Sequence, residues 1–272
     1  MNKKEIIVEK NKKLVTILQD FGFSFADVNK MLRNKDVRIN GKIEKGNPEV
    51  QAGSEVVFYY SDNMLEKKYQ IVFESENVVI VYKSAGIETA GDLGLEKIIS
   101  GAIAVHRLDR NTEGLVTFAK NSDAEEKLNT AFKNKLVHKF YVAEVVGDLN
   151  CSGKIFSAYL SKDSESSFVK ISDKKVPNST KIQTKITTIK HGSQSSLVCV
   201  ELLTGKTHQI RAHLAFLGHA IIGDGKYGKN EDNKKFGQSR QKLACFKLEF
   251  EKIGIEELDR KTFEKKPKWW NF

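Results

Sequence analysis

The sequence predicts an α+β protein with two domains, on three observations. Near the N-terminus apolar residues recur at helical spacing and then give way to short alternating runs. Further on, buried-strand runs such as Val78-Val79-Ile80-Val81-Tyr82 are separated by single helices and hairpins, not by a regular βαβ repeat. The chain has 272 residues, and roughly 150 residues per domain makes two domains the natural count. The expected division is a small helix-helix-sheet module over residues 1–60, a polar linker over 61–68, and a domain with a mixed, mainly antiparallel sheet over 69–272.

In the first module, Leu14, Ile17 and Leu18 mark one helix, and Val28, Met31 and Leu32 mark a second. Phe21-Gly22-Phe23-Ser24 reads as the turn between them, with Ser24 as N-cap. Val37 and Ile39 alternate with polar residues, as in a short strand. Asn40-Gly41 is a strong hairpin signal, because a type I′ turn needs positive φ at both positions. Val56 to Tyr60 is the closing strand. In the second domain Gly114 to Phe118 is a short apolar strand. Ser122 with Glu125 three residues later makes a capping box, and Ala124, Leu128, Ala131 and Phe132 give the helix that follows its buried face. Phe140 to Val146 is a strand ending at Gly147. The Ser/Lys-rich stretch Cys151 to Lys190 predicts irregular sheet and surface loops. Leu197 to Leu203 is a strand, followed by a helix capped by Thr207 and closed by Gly218. Leu243 to Phe250 is a late strand. The basic tail with Trp269 and Trp270 is expected to dock on the body.

Composition narrows the function. The chain carries 45 Lys+Arg against 35 Asp+Glu, a formal net charge of +10, which suits a polyanionic partner such as nucleic acid. With 40% hydrophobic residues it can bury a core, which excludes global disorder. No apolar run approaches the ~18 residues of a membrane span. The Lys/Glu-rich start, Met1 to Lys13, lacks the apolar core of a signal peptide, so a cytoplasmic protein is expected. The three cysteines form no CxxC pair, which argues against a disulfide framework or a Cys-based zinc site. His208 and His213 are five apart and do not share a helix face, so a zinc-hydrolase pair is not expected either.

Two constellations carry chemistry. The first is a basic stripe: between Lys30 and Lys45 stand six basic residues, among them Lys30, Arg33, Lys35, Arg38 and Lys42, against two acidic ones. Such a stripe fits a phosphate backbone, since each neutralised phosphate releases counterions; charge alone fits a solvated face as well. The second is His106-Arg107-Leu108-Asp109-Arg110-Asn111-Thr112-Glu113-Gly114, a lone Asp between two Arg just before a strand. Positive neighbours favour the ionised carboxylate. That form can act as nucleophile or general base and cannot donate a proton. Spacing alone fits a salt-bridged loop Asp as well. Tyr141 alternates with Phe140 and Val142 along its strand, so a pocket aromatic is geometrically possible there.

These residues carry a resemblance. Met31 to Lys42, followed by Gly53-Ser54-Glu55-Val56, resembles the S4 RNA-binding domain, which implies binding of structured RNA through the second helix and the turn. His106-Arg107-Leu108-Asp109 with Thr112-x-Gly114 resembles the catalytic loop of the RluA-type pseudouridine synthases. Lys139 to Gly147 is similar to their tyrosine-bearing strand. Leu203 to Leu214, with Ile222-Gly223-Asp224 and Tyr227-Gly228, is similar to their third motif. The resemblance implies an isomerase that detaches uracil from C1′ of a uridine in RNA, turns it and rejoins it through C5. Asp109 is then the essential carboxylate, Tyr141 stacks on the target base, and Arg211 pairs with Asp109. Arg107 enters the space left by the extruded nucleotide, and Leu243 is an apolar wall of the pocket. No metal or organic cofactor is implied. The expected partner is ribosomal RNA, with transfer RNA as the alternative substrate and a non-catalytic RNA-binding protein as the alternative class. The chain departs from the family at Lys83-Ser84-Ala85-Gly86, where a Pro usually follows the Lys, and at Leu243-Ala244-Cys245, which lacks a His.

Overall fold

The computed structural model describes residues 1–21, 23, 25–61, 69–91, 94–162, 168–270. They fall into two units, Met1–Lys68 and Tyr69–Phe272.

In the first unit the elements are β1 (Asn2–Ile7), β2 (Lys12–Lys13), α1 (Leu14–Phe21), α2 (Phe25–Arg33), β3 (Val37–Ile39), β4 (Lys42–Ile43), β5 (Glu49–Val50) and β6 (Glu55–Tyr60). Both helices form where the apolar spacing placed them. Leu14, Leu18, Val28 and Met31 are fully buried against Val37, Val56 and Phe58. Asn40 (φ 48) and Gly41 (φ 79) turn β3 into β4 as the dipeptide requires. One strand was not anticipated. The Lys/Glu-rich start forms β1, which pairs along β6 from Asn2↔Tyr60 to Ile7↔Glu55. Its side chains are mostly exposed, so no apolar alternation announces it; backbone hydrogen bonds to β6 hold it. Ser24 and the linker residues 62–68 lie outside the described residues.

The second unit is built on an eleven-stranded sheet. Its elements are β7 (Tyr69–Glu74), β8 (Val78–Lys83), α3 (Leu95–Ile98), β9 (Ile103–Ala104), β10 (Glu113–Ala119), α4 (Ser122–Lys133), β11 (Val137–Val146), β12 (Lys154–Lys162), β13 (Val169–Ser172), β14 (Ser179–His191), β15 (Ser195–Leu202), α5 (Gln209–Phe216), α6 (Asn230–Lys235), β16 (Leu243–Phe250) and β17 (Thr262–Glu264). The main path runs β13-β12-β14-β15-β11-β16-β10-β8-β7. β10 and β16 are parallel, and the other described pairs are antiparallel. This is the mixed, mainly antiparallel sheet that the sequence predicts.

Three local expectations are corrected. Within Cys151 to Lys190 the sheet is regular where β12 meets β14, which pair over eight residues, from Lys154↔Ile186 to Ser161↔Ser179. The alternation looked broken because polar Thr184 takes a buried place between Ile182 and Ile186. Its hydroxyl is satisfied there by Gln209 Nε2 and His213 Nδ1 at 3.1 and 3.0 Å. The N-cap of α4 is Asn121, one residue before the expected Ser122; its side chain accepts from Ala124 N at 2.9 Å. Asn77 holds that Asn121 side chain in turn, at 3.0 Å, which favours it over an unsupported serine. Thr207 does not cap α5. The N-cap is His208, in left-handed backbone with φ 53 and no side-chain cap bond. Gln209 braces the turn instead, accepting from Thr204 Oγ1 and Lys206 N at 2.9 and 3.2 Å.

The tail docks on its own unit. Trp269 Nε1 donates to Glu113, and Trp270 meets Phe246 edge to face at 5.0 Å. Together with Phe140, Val142, Leu197 and Ala244 they cover the face of the central strands opposite the main core. Glu113 also accepts from Tyr82 Oη at 2.9 Å, so both its carboxylate oxygens are engaged.

Buried histidines make the fold sensitive to acid. His106 accepts from Thr117 N at 2.9 Å, and burial, aided by nearby Lys139, holds its pKa down at about 3. Burial holds His213 at about 4. The unfolded chain protonates these rings near 6.5, and the folded chain does not until far lower pH. Stability is therefore full above pH 6.5 and is lost as pH falls toward 3–4. Stability is expected to fall by at most about 2 kcal/mol per ring between pH 6.5 and 5, where carboxylates stay ionised, and the melting temperature to fall with it. A melting temperature constant over that interval would contradict this assignment.

Candidate active site

The loop that carries Asp109 is held at Leu108, Asp109, Arg110 and Thr112. Thr89 Oγ1 accepts from Leu108 N and donates to Leu108 O, at 3.1 and 3.2 Å. The Asp109 carbonyl accepts from Thr112 N at 3.0 Å. The Arg110 carbonyl accepts from Gly86 N at 2.8 Å and from Lys83 Nζ at 3.1 Å. Thr112 Oγ1 accepts from Gln241 Nε2 at 2.7 Å. Lys83 is fully buried and spends its ammonium on three carbonyls, those of Ser84, Ile87 and Arg110. Burial lowers its pKa to about 7, against the pull of Asp109 and Glu113. The loop that lacks the usual Pro is thus clamped by the lysine before it.

Gly114 brings this loop to the opposite wall. Its φ is 126°, and a Cβ there would lie 2.3 Å from the Cys245 carbonyl oxygen. No other residue permits β10 to approach β16 so closely. Cys245 pairs with Gly114 on one side and with Tyr141 on the other. Register thereby sets Tyr141 on β11, across β16 from the strand that the Asp109 loop enters. Burial drives the Tyr141 hydroxyl well above the ordinary tyrosine range, with Cys245 and Asp109 adding to the effect. It is a neutral ring, suited to packing and not to proton removal.

Arg211 comes from α5, whose residues Gln209 to Leu214 are all buried. Its guanidinium makes two bonds to Asp224, Nε to Oδ2 at 2.8 Å and Nη2 to Oδ1 at 2.9 Å. The remaining edge donates from Nη1 to Asp109 Oδ2 at 3.1 Å. Asp224, fully buried in its side chain, also accepts from Lys226 N and Tyr227 N at 2.8 and 3.1 Å. Burial by itself raises its pKa; the hydrogen bonds and charge of Arg211 outweigh that and hold it below the usual carboxylate value. The Asp224–Arg211 fork fixes the arginine, and the arginine aims Asp109.

These groups surround one cleft. Arg107, Asp109, Tyr141, Arg211 and Leu243 all line it. The Asp109 side chain keeps 22% of its surface in solvent, so it is reachable. Arg107 is exposed and Leu243 is buried. Lys139 and His208 line the same cleft and were not anticipated as site residues. Lys139 is largely buried, lies 5.4 Å from the Phe132 ring and pairs with no carboxylate among the described residues. Lys30, Arg33, Lys35, Arg38 and Lys42 belong to the first unit, where all five are exposed.

Comparison with known proteins decides the family. A family model described as RNA pseudouridylate synthase matches residues 64–216. The chain belongs to the RNA pseudouridylate synthase family. This pseudouridine synthase is 31% identical over 267 residues to an uncharacterized RNA pseudouridine synthase from Mycoplasma genitalium, covering 85% of this chain and 80% of the relative. It is 29% identical over 256 residues to the ribosomal large subunit pseudouridine synthase C of Vibrio cholerae, covering 82% and 79%. Its structure matches human RNA pseudouridylate synthase domain containing 1 with a TM-score of 0.62 at 27% identity, over 73% of this chain and 83% of that one. Asp224 and Tyr227 stood within the motif blocks quoted above, but nothing in their local pattern marked them as supports of Arg211. Only their position relative to α5 does so.

Proposed function

We propose that this pseudouridine synthase isomerises uridines in large-subunit ribosomal RNA, with Asp109 as its essential carboxylate. The observation that carries the reading is an ionisable carboxylate anchored through one oxygen by Arg211, at the mouth of a cleft walled by Tyr141 and Leu243. A base within an RNA stack must leave it before its glycosidic bond can be reached, which costs a few kcal/mol. Tyr141 then offers a ring for the extruded uracil and Leu243 an apolar wall. Arg107, exposed at the rim, suits the vacated stack, because its plane stacks and its fork reaches phosphates. In the isomerisation the C1′–N1 bond breaks and a C1′–C5 bond forms; C5 loses its proton and N1 gains one. The ribosomal substrate is supported by the Vibrio relative, a ribosomal large subunit pseudouridine synthase C.

We assign the first unit as an S4-like RNA-binding module. Supporting this, the basic side chains of α2, β3 and β4 lie exposed around the Asn40-Gly41 turn. Neutralising Arg33, Arg38 and Lys42 together is expected to weaken RNA binding and to reduce the slope of log K against log salt by up to about 2–3. An unchanged slope would make the stripe a solvated face. The function itself is tested by pseudouridine mapping of ribosomal and transfer RNA from cells with and without the protein. Loss of a modification in large-subunit ribosomal RNA supports the proposal; loss only in transfer RNA replaces its substrate.

A further inference from the structure

Asp109 is approached from two sides on the same oxygen. Arg211 Nη1 lies 3.1 Å from Oδ2, and His208 Nε2 lies 3.8 Å from that same Oδ2. Oδ1 accepts no hydrogen bond from the described residues. We propose that His208 is a positioning residue: with Arg211 it anchors Oδ2 of Asp109 and leaves Oδ1 as the oxygen delivered to the nucleotide. The inference rests on the reading of Asp109 as the essential carboxylate.

The far side of the imidazole determines what its near side presents. His208 Nδ1 is 2.9 Å from the Tyr227 hydroxyl, and that hydroxyl accepts from Val169 N at 3.0 Å. A phenol has one proton to give. Val169 takes one lone pair of the oxygen and leaves that proton available to Nδ1. The ring proton then sits on Nε2, the nitrogen facing Asp109. The opposite tautomer would set an imidazole lone pair against a carboxylate. Tyr227 steadies both donors at once: it meets His208 edge to face at 5.6 Å, and the Arg211 guanidinium lies 5.3 Å from its ring centre.

Charge and backbone agree with the assignment. Asp109, Asp224, Arg211, Lys226 and Tyr227 face the ring. Burial, ahead of the attraction of Asp109, lowers its pKa below the ordinary histidine value, which makes it a neutral donor at pH 7. At 3.8 Å the contact is longer than a hydrogen bond. Such contacts in catalytic sites shorten when substrate closes the site. The backbone of His208 is left-handed, with φ 53 and ψ 16. A residue other than Gly pays strain there, and such strain clusters at functional sites.

The test uses the full chain, in vitro transcribed ribosomal RNA and two variants. His208→Asn shortens the side chain so that it cannot reach Asp109, while Asn tolerates left-handed backbone. His208→Gln places an amide nitrogen close to the position of the ring Nε2. The Asn variant is expected to lower kcat by about 10–100-fold with KM within about threefold and no loss of melting temperature. The Gln variant is expected to recover at least about a third of kcat, as geometric rescue requires. Nitrogen NMR of the wild-type ring at pH 7 is expected to show a protonated Nε2 and an unprotonated Nδ1. Wild-type kcat in the Asn variant, equal losses in both variants, or a proton on Nδ1 would each overturn the proposal. Turnover retained by Asp109→Asn would instead overturn the reading of the carboxylate; the ring tautomer and the Gln rescue separate that result from a failure of His208.

Discussion

Asp109→Asn is expected to reduce pseudouridine formation by at least about 10³-fold, as loss of an essential nucleophile or base does. RNA affinity is expected to change little, because the amide keeps the shape of the side chain and removes only its charge. Folding should survive as well. The Asp109 side chain is partly exposed, and its loop is held by Thr89, Lys83 and Gln241, none of which bonds to the carboxylate. The measurements are single-turnover conversion, RNA binding and melting temperature on one preparation. Wild-type turnover in this variant would remove Asp109 from the chemistry.

Arg211→Met is expected to give the largest loss of stability, about 3–5 kcal/mol. The reason is the partner it leaves behind. Asp224 has no solvent exposure in its side chain, and it would lose both arms of the guanidinium fork. Backbone bonds from Lys226 and Tyr227 remain, but they do not neutralise a buried charge. Adding Asp224→Asn to Arg211→Met should restore most of the stability, since it removes the orphaned charge. It should not restore turnover, because Asp109 would still lack its anchor. Denaturant melts and turnover assays on the single and double variants separate the two roles. Equal stability in single and double variants would show that the Asp224 charge is not what the arginine supports.

The pair also shows where legibility ends. Helical spacing placed α1 and α2, the Asn-Gly dipeptide placed a turn, and apolar runs placed β8, β10 and β16, because each of these signals lies within a few neighbouring residues. β1 escaped because an exposed, charged strand has no apolar alternation to read; its stability comes from pairing with β6, some fifty residues away. Thr184 hid a regular strand because a buried polar residue looks like a break until its partners, Gln209 and His213, are known.

By itself the amino-acid sequence determined the α+β class and, through the family resemblance, the order of the motif blocks and the grouping of Asp109, Tyr141 and Arg211, which line one cleft. The tertiary structure decided how they belong. Asp109 and Arg211 are 102 positions apart, and their 3.1 Å contact depends on strand register and on the close crossing at Gly114. Lys83, His208, Asp224 and Tyr227 acquire their roles only when the loops that hold them converge. Periodicity reports which face of an element is apolar; it does not report which charge from a distant element lies opposite, because that contact is set by long-range packing.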